Sequence, residues 1–218
     1  MSINRRNRKL FEALTNFDGE LMDAVFTTYN FDASYFEGVL LPKLLDVRSD
    51  EEEDARITAI DVMHKLAQKN VFVVADGKVN KTVKKSLFGY HLLPVFGATQ
   101  HAKIFILRFE NSFRLILGSA NLTPSGIHRN REFYVEMDLN ADSGDWDVFF
   151  NILHYLASMS EALGGKMDAM LRSWREAAKA LSADFKRTEP SPVEFVGIAP
   201  QKGQLSFKDL LASFFKRF

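Results

Sequence analysis

Five residues in the middle of the chain have the types and spacing for chemistry at phosphorus: His101, Lys103, Ser119, Asn121 and Glu132. A neutral imidazole can attack phosphorus, while an ammonium and an amide N–H hold the non-bridging oxygens as charge develops on them. A carboxylate can accept the other imidazole N–H, which fixes the tautomer and stabilises the cation formed after proton transfer. On this reading His101 is the nucleophile, Lys103 and Asn121 bind phosphoryl oxygens, Glu132 orients His101, and Ser119 supports the phosphate pocket. The set calls for no metal and no other cofactor. His64, His91, His128 and His154 lack a lysine two residues on and read as structural or surface residues. No His/Asp/Glu cluster has metal-ligand spacing.

These side chains need an extended scaffold. The run His101 to Arg108 reads as a strand, on which residues two apart share a face. His101 and Lys103 then project together with Phe105 and Leu107 behind them, and Ala102, Ile104 and Ile106 take the opposite face. Leu115-Ile116-Leu117 pairs with this run through the polar turn Glu110-Asn111-Ser112 and ends at Gly118, where the chain can bend sharply. Ser119 and Asn121 follow at the same end of the sheet. The polar loop Pro124 to Arg131 leads to a third strand at Glu132-Phe133, and its Arg129 and Arg131 are candidates for flanking phosphates. Upstream, Lys81, Lys84 and Lys85 lie in a basic stretch, Lys78 to Phe88, that could attract a phosphate backbone.

His-x-Lys, Gly-Ser-x-Asn and a Glu eleven residues after the Asn resemble the phospholipase D superfamily. Arg108 stands where usual members carry an Asp. The spacing from Lys103 to Asn121 is similar to that of tyrosyl-DNA phosphodiesterases, which also lack that Asp. Glu132 is where those enzymes have a Gln and bacterial nucleases of the superfamily have a Glu. Phe26 to Asp32 and the helix after it look like the first strand and helix of the bacterial nuclease-type members, so the resemblance covers roughly Leu21 to Leu139. It implies an α/β fold, a phospholipase D-like α/β/α sandwich with a mixed central sheet, here with a helical C-terminal part. It also implies a metal-independent phosphodiesterase, a nuclease acting on DNA or another nucleic acid through a phosphohistidine on His101. The superfamily builds one site from two motif copies, one histidine attacking and the other protonating the leaving oxygen.

This chain carries one copy. A homodimer bringing two His101 residues together is the first expectation; the alternative is that residues 191–218 begin a second half encoded elsewhere. A larger nuclease or phage-defence complex is a further possible setting. The rival activities are a lipid phosphodiesterase or transferase, a DNA end-processing enzyme of the tyrosyl-DNA type, and a non-catalytic module.

Strands are expected near Leu21–Tyr29 and Val71–Ala75, with Asp76-Gly77 as a turn. Asp32 is a plausible N-cap for a helix burying Phe36, Val39, Leu40 and Leu44. For Ile57 to Lys69 the periodicity permits one helix, and the family pattern favours a strand over Ile57–Asp61 followed by a helix. Beyond Leu139 the chain turns helical. Asp145 to Leu163 should bury Trp146, Phe149, Phe150, Leu153, Leu156 and Met159, and Gly164-Gly165 breaks it before a second helix, Met167 to Phe185. The expected organisation is a basic arm or helix at 1–20, a catalytic domain at 21–190 and a strand-helix extension at 191–218. The 218 residues are 46% hydrophobic and include 20 Phe, enough for a substantial core. The absence of Cys removes disulfides and thiolate chemistry. A formal net charge of +0 makes any attraction of nucleic acid local. Without an apolar leader or a membrane-length apolar run, a cytoplasmic protein with no membrane partner is expected.

Overall fold

The structure is a computed structural model and describes residues 9–47, 55–80, 88–142, 145–183 and 185. The expectations for residues 1–8, for Lys81, Lys84 and Lys85, and for 191–218 fall outside the described residues. The chain divides into two compact units, residues 1–138 and 139–218.

The first unit is α/β. Its mixed sheet holds six strands, β1 (Asp23–Thr28), β2 (Asn70–Asp76), β3 (His91–Val95), β4 (Lys103–Arg108), β5 (Phe113–Gly118) and β6 (Tyr134–Leu139), in the order β3-β2-β1-β4-β5-β6. β1 runs parallel to β2, and β2 to β3, whereas β4 is antiparallel to both β1 and β5. β2 and β4 are buried along almost their whole length, which is why their interiors, Val71–Ala75 and Ile104–Leu107, are continuous apolar runs without clean alternation. Ala24, Phe26, Val73, Phe105, Leu107 and Ile116 line one face and join the main core. Val25, Val74, Ile104, Ile106 and Leu115, on the other face, are buried too. The registers Thr28 with Ala75, Asp76 with Val95 and Lys103 with Gly118 bring five strand ends to one edge of the sheet. That edge carries the candidate site.

The basic N-terminal stretch ends in a helix, Leu10–Thr15, whose Leu10, Ala13 and Leu14 are buried in the sheet's core. Arg114 on β5 donates to the carbonyls of Ala13 (3.1 Å) and Asn16 (2.8 Å) at the end of this helix, and pairs with Asp138 on β6. The helix is therefore part of the sheet unit and not a separate arm. Asp32 caps the next helix as expected, accepting from the N–H of Tyr35 at 2.9 Å. This helix runs through Ala33–Tyr35, a π turn at Phe36–Leu40, and Leu41–Leu44. The N–H of Leu41 bonds the carbonyl of Phe36, five residues back. The wider turn brings Leu41 into the core and leaves Val39 42% exposed, whereas Phe36, Leu40 and Leu44 are buried. The strand expected at Ile57–Asp61 is not formed; Ala55–Leu66 is one helix. Its Val62 and Leu66 are buried, four residues apart on one face, so helical periodicity decides this segment against the family pattern.

The second unit contains the helices Trp146–Ala162 and Asp168–Ser182. Gly164 and Gly165 between them take φ of 79° and 71°, which L side chains resist, so the break expected there is local backbone chemistry. Trp146, Phe149, Leu153, Leu156 and Met159 are buried as expected, and Phe150 is half-buried. Among the described residues no helix is long and apolar enough to cross a membrane.

Candidate phosphoryl-binding site at the sheet edge

β4 begins at Lys103, so His101 and Ala102 precede the strand. The pairing of His101 with Lys103 is therefore not the same-face alternation of a strand. Thr27 on β1 explains the early departure. Its hydroxyl donates to the carbonyl of Ala102 (2.9 Å) and accepts from the N–H of Ile104 (3.0 Å), taking the place of a backbone partner at the last ladder position. The chain leaves the sheet there and His101 is exposed at the edge. Its ring packs on that of Tyr29, with centroids 5.0 Å apart.

Lys103 folds back onto His101. Its Nζ donates to the His101 carbonyl at 2.8 Å and lies 3.1 Å from Nδ1 and 3.3 Å from Nε2 of the ring. The residue is only 7% exposed. Burial lowers the pKa of the Lys103 ammonium, and the Glu132 carboxylate opposes this by favouring the charged form. The Tyr29 ring, 5.8 Å from Nζ, adds a cation–π contact. Tyr29 thus steadies both members of the His-x-Lys pair.

Asn121 is aimed by its own acceptor. Its Oδ1 accepts from the N–H of Asn30 (3.1 Å) and from the Thr28 hydroxyl (3.4 Å). Among the described residues its Nδ2 makes no hydrogen bond, so the amide keeps its donors for a ligand. The backbone around it is held as well. Thr28 accepts from the N–H of Leu122, and Leu122 bridges to Phe31. Gly126 closes the following π turn against Asn121, where a Cβ would come within 2.3 Å of the Asn121 carbonyl oxygen.

Ser119 and Glu132 form a pair of their own. The Ser119 hydroxyl donates to Glu132 Oε2 in a short hydrogen bond and accepts from the N–H of Phe133 at 3.1 Å. Asn130 donates to Glu132 Oε1 at 3.1 Å. Among the described residues no hydrogen bond joins His101 to Glu132, whose carboxylate oxygens accept from Ser119 and Asn130. Glu132 reaches the site instead through its charge on Lys103. Gly118 does not serve as a sharp bend: it ends β5, where a Cβ would meet the Phe133 carbonyl at 2.6 Å, so its role is close approach of β5 to the chain entering β6.

Three positioning residues carry no recognisable motif. Asp76, 1% exposed at the end of β2, accepts from the backbone N–H groups of Lys78 (2.9 Å), Val79 (3.1 Å) and Gln100 (3.0 Å). Gln100, also buried, donates to the Ala102 carbonyl at 2.9 Å and so fixes the approach to His101. Asn80 donates to the Tyr29 carbonyl and accepts from the N–H of Phe31. The Asp76-Gly77 turn signal pointed to a loop, and nothing in the sequence pointed to its partner.

Arg129 and Arg131 are exposed in the loop between Asn121 and Glu132, and among the described residues neither makes an ion pair. Arg108 lies at the opposite end of β4 from Lys103, five residues along, and pairs with Asp23 (3.3 Å) on β1. The residue that departs from the usual signature is therefore a strand-end ion pair and not a site residue. His128 hydrogen-bonds the Tyr35 hydroxyl at 2.8 Å and packs against Phe11; His91 stacks on Phe72. His64 and His154 are exposed on helices.

Comparison with protein-family models finds no match, and no curated protein matches the chain significantly.

Proposed function

We propose that the chain is a metal-independent phosphodiesterase, a nuclease of the phospholipase D type acting on DNA. The observation that carries this reading is an exposed imidazole held on a buried ammonium, with a neighbouring amide whose donors are left for a ligand. The His101 ring attacks phosphorus and the leaving alkoxide departs protonated. Lys103 and Asn121 hold the non-bridging oxygens as charge develops. Water then attacks the phosphohistidine, and the two displacements retain configuration at phosphorus. Each displacement needs a proton donor or acceptor opposite His101. Among the described residues the His101 ring meets Lys103 and Tyr29 and no second proton carrier, which supports a homodimer in which a second His101 does this work. The mixed six-stranded sheet of the first unit supports a phospholipase D-like fold, and the proposed setting is cytoplasmic. The test is hydrolysis of bis(p-nitrophenyl) phosphate and of DNA in excess chelator. Wild-type protein turns both over, and His101→Ala loses activity by about a thousandfold or more. Full activity of His101→Ala would overturn the assignment.

A further inference from the structure

The two most exposed large apolar side chains in the described structure are Phe133 (77%) and Phe96 (68%). Both lie on the sheet edge that carries His101. Phe96 follows the last residue of β3, and Phe133 precedes the first residue of β6, so they mark the two outermost strands of the sheet. The site strands β1 and β4 are the central pair. At about 4.8 Å per strand, the strand ends that carry the two residues stand roughly 24 Å apart with the site near the midpoint. Exposed cations lie near each residue along the chain. The Phe96 ring lies over Gly77, where a Cβ would come within 2.6 Å of it, and exposed Lys78 follows Gly77. Exposed Arg131 and Arg129 precede Phe133. Among the described residues neither Phe ring packs on another ring.

We propose that this edge is a binding track for single-stranded DNA, with Phe96 and Phe133 as base-stacking platforms on either side of the scissile phosphate. The inference rests on the phosphodiesterase reading and adds the substrate's strandedness. Exposed aromatic faces separated by cations match what a single strand offers: π faces that any base supplies, and a continuous line of phosphates. In a duplex those faces are stacked on their neighbours and cannot reach a protein ring. A lipid surface calls for a contiguous apolar patch, and here two isolated rings are separated by polar and charged groups. The span between these strand ends corresponds to roughly seven nucleotides at the stacked rise of about 3.4 Å.

The experiment uses the full-length chain carrying His101→Ala, so that binding is read without cleavage. Affinity is measured for oligodeoxythymidines of graded length, for a blunt duplex and for phosphatidylglycerol vesicles, with the solution mass recorded for every variant. Single strands should bind at least about tenfold more tightly than duplex, with affinity levelling off near seven nucleotides. Adding Phe133→Ala or Phe96→Ala should weaken single-strand binding about tenfold each, at unchanged mass and unchanged duplex binding. In the otherwise wild-type chain, both Phe variants should hydrolyse bis(p-nitrophenyl) phosphate normally, because that ester reaches only the central site. Equal binding of single strands and duplex, or flat Phe variants, would overturn the track while turnover of the small ester left the phosphodiesterase reading standing. A change in mass would reassign the rings to a subunit contact, and Phe-dependent vesicle binding would reassign them to lipid; either outcome overturns the proposal. Loss of small-ester turnover in the wild-type chain would instead remove the reading beneath it.

Discussion

Lys103 is a single charged residue whose burial costs stability. Its ammonium is buried against His101, and burial lowers its pKa. The folded chain then holds this proton less tightly than the unfolded chain, so protonation favours unfolding. That penalty is present at neutral pH and fades as pH rises through the lowered folded value towards the ordinary lysine value. Lys103→Met, which keeps the stem and removes the charge, should abolish phosphodiester hydrolysis while leaving the melting temperature unchanged or higher at pH 7. The gap between variant and wild type should close as pH is raised. Thermal melts across that range check this; a variant markedly less stable at pH 7 would mean that the hydrogen bond to the His101 carbonyl outweighs the cost of burying the charge.

At the scale of elements, the site depends on how closely loops approach the sheet edge. Gly126 seats the π turn Ser125–Arg129 against Asn121, and no side chain fits there. Gly126→Ala should destabilise the fold by about 1–3 kcal/mol through overpacking and lower activity by displacing the amide. Gly38 is the control. It also sits in a π turn, is exposed, and an added Cβ would meet nothing within 4 Å. Gly38→Ala should be neutral or stabilise by up to about 1 kcal/mol, with activity retained. Denaturant titration of both variants separates the two roles, and equal losses would show that backbone entropy rather than steric closure governs these turns.

At the scale of the whole molecule, a paired site makes a quantitative demand. If one site needs His101 from both subunits, mixing wild-type and His101→Ala chains during refolding or co-expression gives activity that falls as the square of the wild-type fraction. Chains that act alone give a linear decline. The same samples should show the mass of a dimer by light scattering. Linear dependence would send the search for the second proton carrier to another part of the chain or to a different protein.

Much of this organisation was legible in the sequence. Apolar runs near Leu21–Tyr29, Val71–Ala75, His101–Arg108 and Leu115–Leu117 pointed to strands, because a strand buried on both faces is largely apolar. Asp32 and Gly164-Gly165 marked helix limits through local backbone chemistry. The residue types His101, Lys103, Asn121 and Glu132 announced a chemistry on their own, because their functional groups do not depend on their surroundings. Only the tertiary structure decided how they are deployed. Hydrogen bonds near and far in sequence orient Asn121, draw Glu132 to Ser119 and Asn130, and anchor the approach to His101 through Asp76 and Gln100. The extra residue in the π turn displaced Val39, and helical packing of Val62 and Leu66 settled a segment whose local pattern permitted two answers. A side chain's chemistry is written in its identity, but its partners are set by sheet register, which brings Thr28, Asp76, Lys103 and Gly118 to one edge from widely separated positions in the chain.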